Sequence, residues 1–190
     1  MLKKGVLVTL IFLILSACSS NSSALETDNL IVEKDDININ YEAVEKDIAA
    51  EAVPFKIKYP TYIPFDSEEA KVVITAWEKD KEKVVASLTY ASTEEDAKWK
   101  KDSFVQPVIP HVRYTIANFD RYFSRYANKS EYREIEISNN TKGLIQYILE
   151  SNGAALHWFH EGKEYNIVLR NFNNDKEKLK KELIKIADSI

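Results

Sequence analysis

The sequence of 190 residues has one cysteine, Cys18, and little glycine or proline. A single cysteine excludes a disulfide bond within the chain, so side-chain packing has to stabilise the folded state. The 4 glycines and 5 prolines stand beside an aromatic content of 11%. That balance favours a globular, sheet-rich domain over a disordered chain.

Positive charge is also scarce. The chain has 26 Lys and Arg against 30 Asp and Glu, which gives a formal net charge of −4. Nucleic-acid-binding domains are usually basic, and anionic lipid headgroups attract basic surfaces. We therefore expect no nucleic-acid partner, and attachment to a membrane requires something other than surface charge.

Motifs of the common enzyme classes are missing as well. The sequence has no G-x-S-x-G nucleophile elbow, no H-E-x-x-H zinc motif and no glycine loop for phosphate. His157 and His160 are three residues apart on a predicted strand, so their imidazoles should point to opposite faces and cannot share an ion. The acidic cluster at residues 94–96 does not match the spacing of a calcium loop. We expect no catalytic residue, metal or cofactor.

The most apolar stretch lies at the N-terminus. Two lysines precede an apolar run over residues 6–15, which is shorter than the roughly 20 residues of a spanning helix and favours a secretory signal over an uncleaved anchor. Leu15-Ser16-Ala17-Cys18 resembles the lipobox of bacterial lipoproteins. The resemblance implies a signal peptide over residues 1–17, cleavage between Ala17 and Cys18, and a diacylglyceryl group, with palmitate-type chains, on Cys18. Two acyl chains anchor a protein stably, here on the extracytoplasmic face of the cell membrane.

Composition divides the rest of the chain into a tether and one domain. Residues 18–39 are rich in Ser, Asn, Asp and Glu and predict a flexible, lipid-anchored tether. Residues 40–190 predict a single α+β domain that begins with a helix over residues 41–52 and an edge strand over residues 54–60. Residues 93–110 show no periodicity and predict a long loop.

The middle of the domain predicts a hairpin and further short elements. Residues 71–77 and 83–90 are β-rich, and pairing them about their turn aligns Trp77 with Val84 and Val73 with Leu88. The elements that follow are a strand over residues 111–119, a short helix or turn over residues 120–127 and a strand over residues 132–138.

The C-terminal third predicts a three-stranded meander and a closing helix. Strands over residues 143–150, 154–160 and 163–169 are joined by turns containing Gly153 and Gly162. Two-residue loops would align two apolar rows, Tyr147 with Trp158 and Tyr165, and Leu149 with Leu156 and Ile167. Asn174 is the predicted cap of the helix. The fold class is therefore α+β, an antiparallel sheet of hairpin and meander with the helices, including the C-terminal one, on one face.

Residues 55–190 resemble an uncharacterised extracytoplasmic domain family of low-GC Gram-positive bacteria. The family is found in lipoproteins and in anti-sigma-factor-like membrane proteins. The resemblance is carried by the segment Tyr59-Pro60-Thr61-Tyr62-Ile63-Pro64, by Leu156-His157-Trp158 with Gly162 and Tyr165, and by the closing segment 183–190. It implies a non-enzymatic module outside the membrane and transfers no catalytic residue.

One short segment combines rings and positive charge. Arg121, Tyr122, Arg125 and Tyr126 form a candidate binding surface for a polyanion or peptide, although such rings also commonly pack under a loop. The leading hypothesis is a non-catalytic binding or sensing module of unknown ligand, with an envelope protein as one class of partner. The alternatives are a carrier or chaperone that holds an apolar ligand or lipid in a sheet-helix cavity, and an envelope hydrolase assembled by the fold.

Overall fold

The computed structural model describes residues 23–93, 109–138 and 141–190. The predicted signal peptide, Cys18, the acidic cluster at residues 94–96 and most of the predicted loop lie outside these ranges. The described residues form one antiparallel sheet of nine strands, three α-helices and short 3-10 turns. None of the helices in these three ranges is long and apolar enough to cross a membrane. The strands are β1 (Val32–Asp35), β2 (Ile39–Tyr41), β3 (Val72–Ala76), β4 (Val84–Ala91), β5 (His111–Ala117), β6 (Arg133–Ile137), β7 (Thr141–Ile148), β8 (Gly153–His160) and β9 (Lys163–Arg170), and the helices are α1 (Lys46–Ala52), α2 (Phe123–Tyr126) and α3 (Lys176–Asp188).

The strand order is β1-β2-β3-β4-β5-β9-β8-β7-β6. The predicted hairpin and meander are therefore parts of one sheet, joined where β5 pairs with β9. The chain reaches the middle of the sheet at β5 and next forms β6 at the far edge, so residues 118–132 have to cross β9, β8 and β7. We call residues 118–132 the crossover; it contains α2, whose Tyr126 ring contacts His157 of β8.

One face of the sheet is apolar and carries the core. Because side chains alternate along a strand, the residues on this face are two apart, and they are almost completely buried. α1 contributes Ala49 to the same cluster, and the apolar stripe of α3 covers β8 and β9. Fully buried members of the core include Ile74, Leu88, Tyr114, Leu156, Ile167 and Leu183.

The helices do not share one face. α1 and α3 cover the apolar face as predicted, but α2 lies on the opposite face, where Tyr126 contacts His157. The prediction of a single helical face is wrong for α2, because this four-residue helix is placed by the path of the crossover and has no apolar stripe to bury.

Residues 23–39 belong to the folded body, contrary to the predicted tether. Leu25 is 4% exposed, and its backbone N–H donates to the Lys81 carbonyl over 2.8 Å. Val32–Asp35 pairs with Ile39–Tyr41, which in turn pairs with β3. The polar composition of β1 reflects an exposed edge strand, since all four of its residues are exposed.

The hairpin of β3 and β4 forms with a register one residue away from the prediction. Ala76 pairs with Val84, and Val72 pairs with Leu88. The difference arises because Trp77 begins a 3-10 turn in which Glu78 and Lys79 both have positive φ. This turn takes Trp77 out of the strand and onto the polar face of the sheet.

The meander is predicted correctly on one side only. Trp158 pairs with Tyr165 and Leu156 with Ile167, as the two-residue turn at Gly162 requires. Between β7 and β8, however, Tyr147 pairs with Ala154, and Leu149 is not in a strand. Leu149–Ser151 form a 3-10 turn, which shifts this register by four residues from the predicted one.

Smaller differences concern the ends of elements. The first helix is shorter than predicted, because Tyr41 belongs to β2 and Val44 forms a bridge to Val72. Residues 54–60 are irregular and form no strand, although Ile57 is buried. Asp175 caps α3 in place of Asn174. Its carboxylate accepts hydrogen bonds from the backbone N–H groups of Glu177 and Lys178.

Candidate functional site

A cavity of about 410 Å³ lies on the polar face of the sheet, opposite α3. Its floor consists of the side chains that alternate with the core residues of β3, β4, β5, β7, β8 and β9. The strand pairings place Ser87, Thr115, Asn166 and His157 in one continuous row across four strands. We call this cavity the polar pocket.

Four rings from the crossover and its neighbours form one wall of the polar pocket. Trp77 meets Tyr122 edge to face at 5.7 Å, and Tyr122 stacks on Tyr126 at 5.5 Å. Tyr126 stacks on Tyr132 at 4.6 Å and 11°. We call Trp77, Tyr122, Tyr126 and Tyr132 the aromatic wall. Contacts between aromatic rings stabilise packing, and ring faces also bind the rings or apolar faces of ligands.

Glu164 fixes the crossover to the sheet. Its side chain is 1% exposed, and Oε2 accepts hydrogen bonds from the backbone N–H groups of Tyr122 at 2.6 Å and Phe123 at 3.0 Å. Its Oε1 lies 3.6 Å from Nε of Arg121. A buried carboxylate needs partners of this kind, and here they come from consecutive residues of the crossover.

Arg121 is held between this carboxylate and the aromatic wall. Its guanidinium carbon lies 4.9 Å from the ring centre of Tyr122 and 5.6 Å from that of Trp77. Cation–π contacts and the ion pair restrict its rotamers. Arg121 therefore presents a positioned positive charge at the rim of the polar pocket.

His157 is a buried, neutral member of the floor. Asn166 Nδ2 lies 3.0 Å from Nε2, and because an amide nitrogen only donates, Nε2 accepts and Nδ1 carries the proton. The rings of Tyr126 and Tyr132 approach His157 edge to face, and Nδ1 has no hydrogen-bond partner among the described residues. Burial, and then the charge of Arg121, lower the pKa of His157 from 6.5 to about 4.

This shift makes stability depend on pH. The contribution of neutral His157 is complete above about pH 6.5 and is lost as the pH falls towards 4, because the unfolded chain binds a proton that the folded chain rejects. Each pH unit in this interval lowers the free energy of unfolding by about 1.4 kcal/mol, or by roughly 3 kcal/mol in all. Urea titrations of the full chain at about pH 7, 5 and 4 measure the effect.

His157→Gln removes the titrating group and should flatten this part of the profile, whereas the exposed His160 gives a matched control in His160→Gln. An equal pH dependence in wild type and His157→Gln contradicts the prediction.

The charge of the polar pocket differs in sign from that of the chain. Arg113, Arg121 and Arg170 line it, and none of the described lining residues is Asp or Glu. Within the described ranges Arg113 and Arg170 make no ion pair. Partial burial, and then the charges of Arg170 and Arg121, lower the pKa of Arg113. The pocket therefore has three guanidiniums, of which only that of Arg121 is paired with a carboxylate, that of Glu164, and an excess of positive charge remains.

The structure places three of the four predicted binding residues in the polar pocket. Arg121, Tyr122 and Tyr126 line it, whereas Arg125 is exposed and outside the lining. Sequence reasoning did not identify the floor or the two further arginines, Arg113 and Arg170. A signal was present, because Ser87, Thr115 and Asn166 are polar residues alternating with apolar ones along β4, β5 and β9.

The other sequence hypotheses concern different places. Along most of the closing helix, the layer between sheet and helix, where the carrier hypothesis puts an apolar ligand, is filled by the buried side chains of Leu179, Leu183 and Ile186. A cavity of about 250 Å³ remains at the C-terminal end of the helix, between Trp158 and Ala187. His160 lies on the helical side of the sheet near Asp188, away from His157, as strand alternation predicts. No group of three or more His, Cys, Asp or Glu suited to a metal ion occurs among the described residues.

Comparison with known proteins adds no identity. No family model matches the chain, and no curated protein or solved structure matches it significantly.

Proposed function

We propose that the protein is a lipoprotein on the outer face of the cell membrane, where it binds a ligand without chemical conversion. The observation that carries the binding role is the polar pocket, with its positioned charge on Arg121 and its aromatic wall. Specific small-molecule sites combine a concave shape with a few fixed polar groups, and their volumes are roughly 300 to 1,000 Å³. The cavity of about 410 Å³ lies in this range.

The location is supported by the sequence. Leu15-Ser16-Ala17-Cys18 follows a short apolar run, as in the lipobox, and the resemblance of residues 55–190 to an extracytoplasmic domain family agrees with it. Anchoring by acyl chains requires no basic surface, which suits a chain with net charge −4. The binding role requires no catalytic group, and His157 in the floor is neutral and hydrogen-bonded to Asn166.

A photoreactive amino acid at Ser87, in the floor of the polar pocket, tests the binding role and the location together. In intact cells that express the full chain and are labelled with radioactive palmitate, we expect a membrane-bound, labelled protein with a crosslinked adduct of reproducible mass. Cys18→Ala should abolish the label and release the protein from the membrane fraction.

Thr89 provides the matched control position. It lies two residues along β4, on the same face as Ser87, but is exposed and outside the pocket lining. Identical adducts from both positions, or none from Ser87, contradict the binding role, and palmitate incorporation by Cys18→Ala contradicts the anchor.

A further inference from the structure

We propose that the polar pocket recognises a small hydroxylated anion, a molecule of sugar size that carries a carboxylate or a phosphate, and that Arg113 and Arg170 bind the anionic group. This inference rests on the proposed binding role of the same pocket and specifies the class of ligand.

The first argument is the uncompensated charge. The chain as a whole has more acidic than basic residues, yet the described lining of the polar pocket holds three arginines and no carboxylate. Only Arg121 has a countercharge there, the buried Glu164 at 3.6 Å. Arg113 is exposed and Arg170 is half-buried, so water screens part of the repulsion between these like charges, and a bound anion removes the part that remains.

The second argument is the geometry of the two remaining arginines. Arg113 lies on β5 and pairs with Val168 of β9, and Arg170 lies two residues further along β9 on the same face. Diagonal neighbours of this kind have Cα atoms roughly 7 to 8 Å apart, which is within reach of two long side chains that converge on one group. Guanidiniums bind carboxylate and phosphate oxygens through paired, charge-assisted hydrogen bonds.

The third argument is the composition of the rest of the pocket. Hydroxyl and amide groups of Ser87, Thr115, Gln146 and Asn166 lie beside the charged group, so the body of the ligand meets donors and acceptors and little apolar surface. The aromatic wall offers a flat face to a ring on the opposite side. A hydroxylated ring with one anionic substituent can bind both the polar floor and the aromatic wall. An apolar ligand would leave the polar groups unpaired, and a cationic ligand would be repelled by the arginines.

Isothermal titration calorimetry of the full chain in neutral detergent tests the proposal. The probes are glucose 6-phosphate and glucuronate, with glucose as the uncharged reference and inorganic phosphate as the isolated group. We expect at least one of the two anionic sugars to bind about tenfold or more tightly than glucose, and the affinity to fall with added salt. Vesicles containing phosphatidylglycerol, compared with phosphatidylcholine, show whether the same group is also accepted from a lipid headgroup.

Arg113→Gln and Arg170→Gln should each weaken binding of the preferred anion about tenfold or more. Arg133→Gln is the matched control, since Arg133 is an exposed strand residue outside the pocket lining, and it should bind as wild type does. Thermal unfolding confirms that each variant is folded.

Equal affinities for glucose and both anions, or unchanged affinity in the two pocket variants, overturn the inference. A crosslinked ligand at Ser87 together with such a result would leave the binding role intact and refute only the anionic class. Arginine-dependent anion binding in vitro without an adduct in cells would support the anionic class and contradict the binding role in the cell.

Discussion

Gly153→Ala is expected to lower the free energy of unfolding by about 4 kcal/mol, near the upper end for a single substitution. A Cβ atom at this position would lie 2.2 Å from the carbonyl oxygen of Leu169 and 3.0 Å from the Cα atom of Arg170. Both atoms belong to the backbone of β9, in the centre of the sheet, so relief requires movement of a strand rather than of a side chain. Urea unfolding of the full chain followed by circular dichroism measures the loss.

Gly162 is the matched control for this substitution. It has φ of +75°, and a Cβ there would meet nothing within 4 Å. Gly162→Asn should change the free energy of unfolding by less than about 1 kcal/mol, because asparagine tolerates the left-handed region. Equal losses in the two variants would show that the close approach of β8 and β9 at Gly153 has no energetic consequence.

The two glycines also show what the sequence predicts reliably. Gly162 follows Glu161 in a two-residue turn, and this local constraint was sufficient to predict the pairing of Trp158 with Tyr165. The same pattern predicts Gly153 to be a turn residue, but it is the first residue of β8 and is required there by contact with β9. A requirement set by a neighbouring strand cannot be inferred from local turn patterns, so the register between β7 and β8 was predicted wrongly.

The candidate site was predictable to the extent that it is local. Arg121, Tyr122 and Tyr126 are close in sequence, and their combination of charge and rings indicated a binding surface. Arg113 and Arg170 come together only because β9 is inserted next to β5. That pairing depends on the crossover, and neither periodicity nor turn composition specifies which strand of a meander joins a preceding one.

Glu164→Ala is expected to lower the free energy of unfolding by about 3 to 5 kcal/mol. The substitution removes the acceptor for two backbone N–H groups, those of Tyr122 and Phe123, and leaves Arg121 without its countercharge. The guanidinium of Arg121 belongs to a side chain that is only 14% exposed, so water does not replace the lost carboxylate fully. Urea unfolding measures the loss, and Glu164→Gln, which keeps an acceptor but not the charge, should give an intermediate value.

Glu134 separates this effect from the loss of any carboxylate. Its Oε1 lies 2.7 Å from Nζ of Lys142, a shorter distance than that between Glu164 and Arg121, but both side chains of this pair are exposed. Glu134→Ala should therefore cost no more than about 1 kcal/mol, since water solvates the released lysine. If the two variants lose similar amounts, Glu164 does not hold the crossover on the sheet. The position of Arg121 would then depend on its cation–π contacts with Trp77 and Tyr122, and that of the aromatic wall on ring stacking.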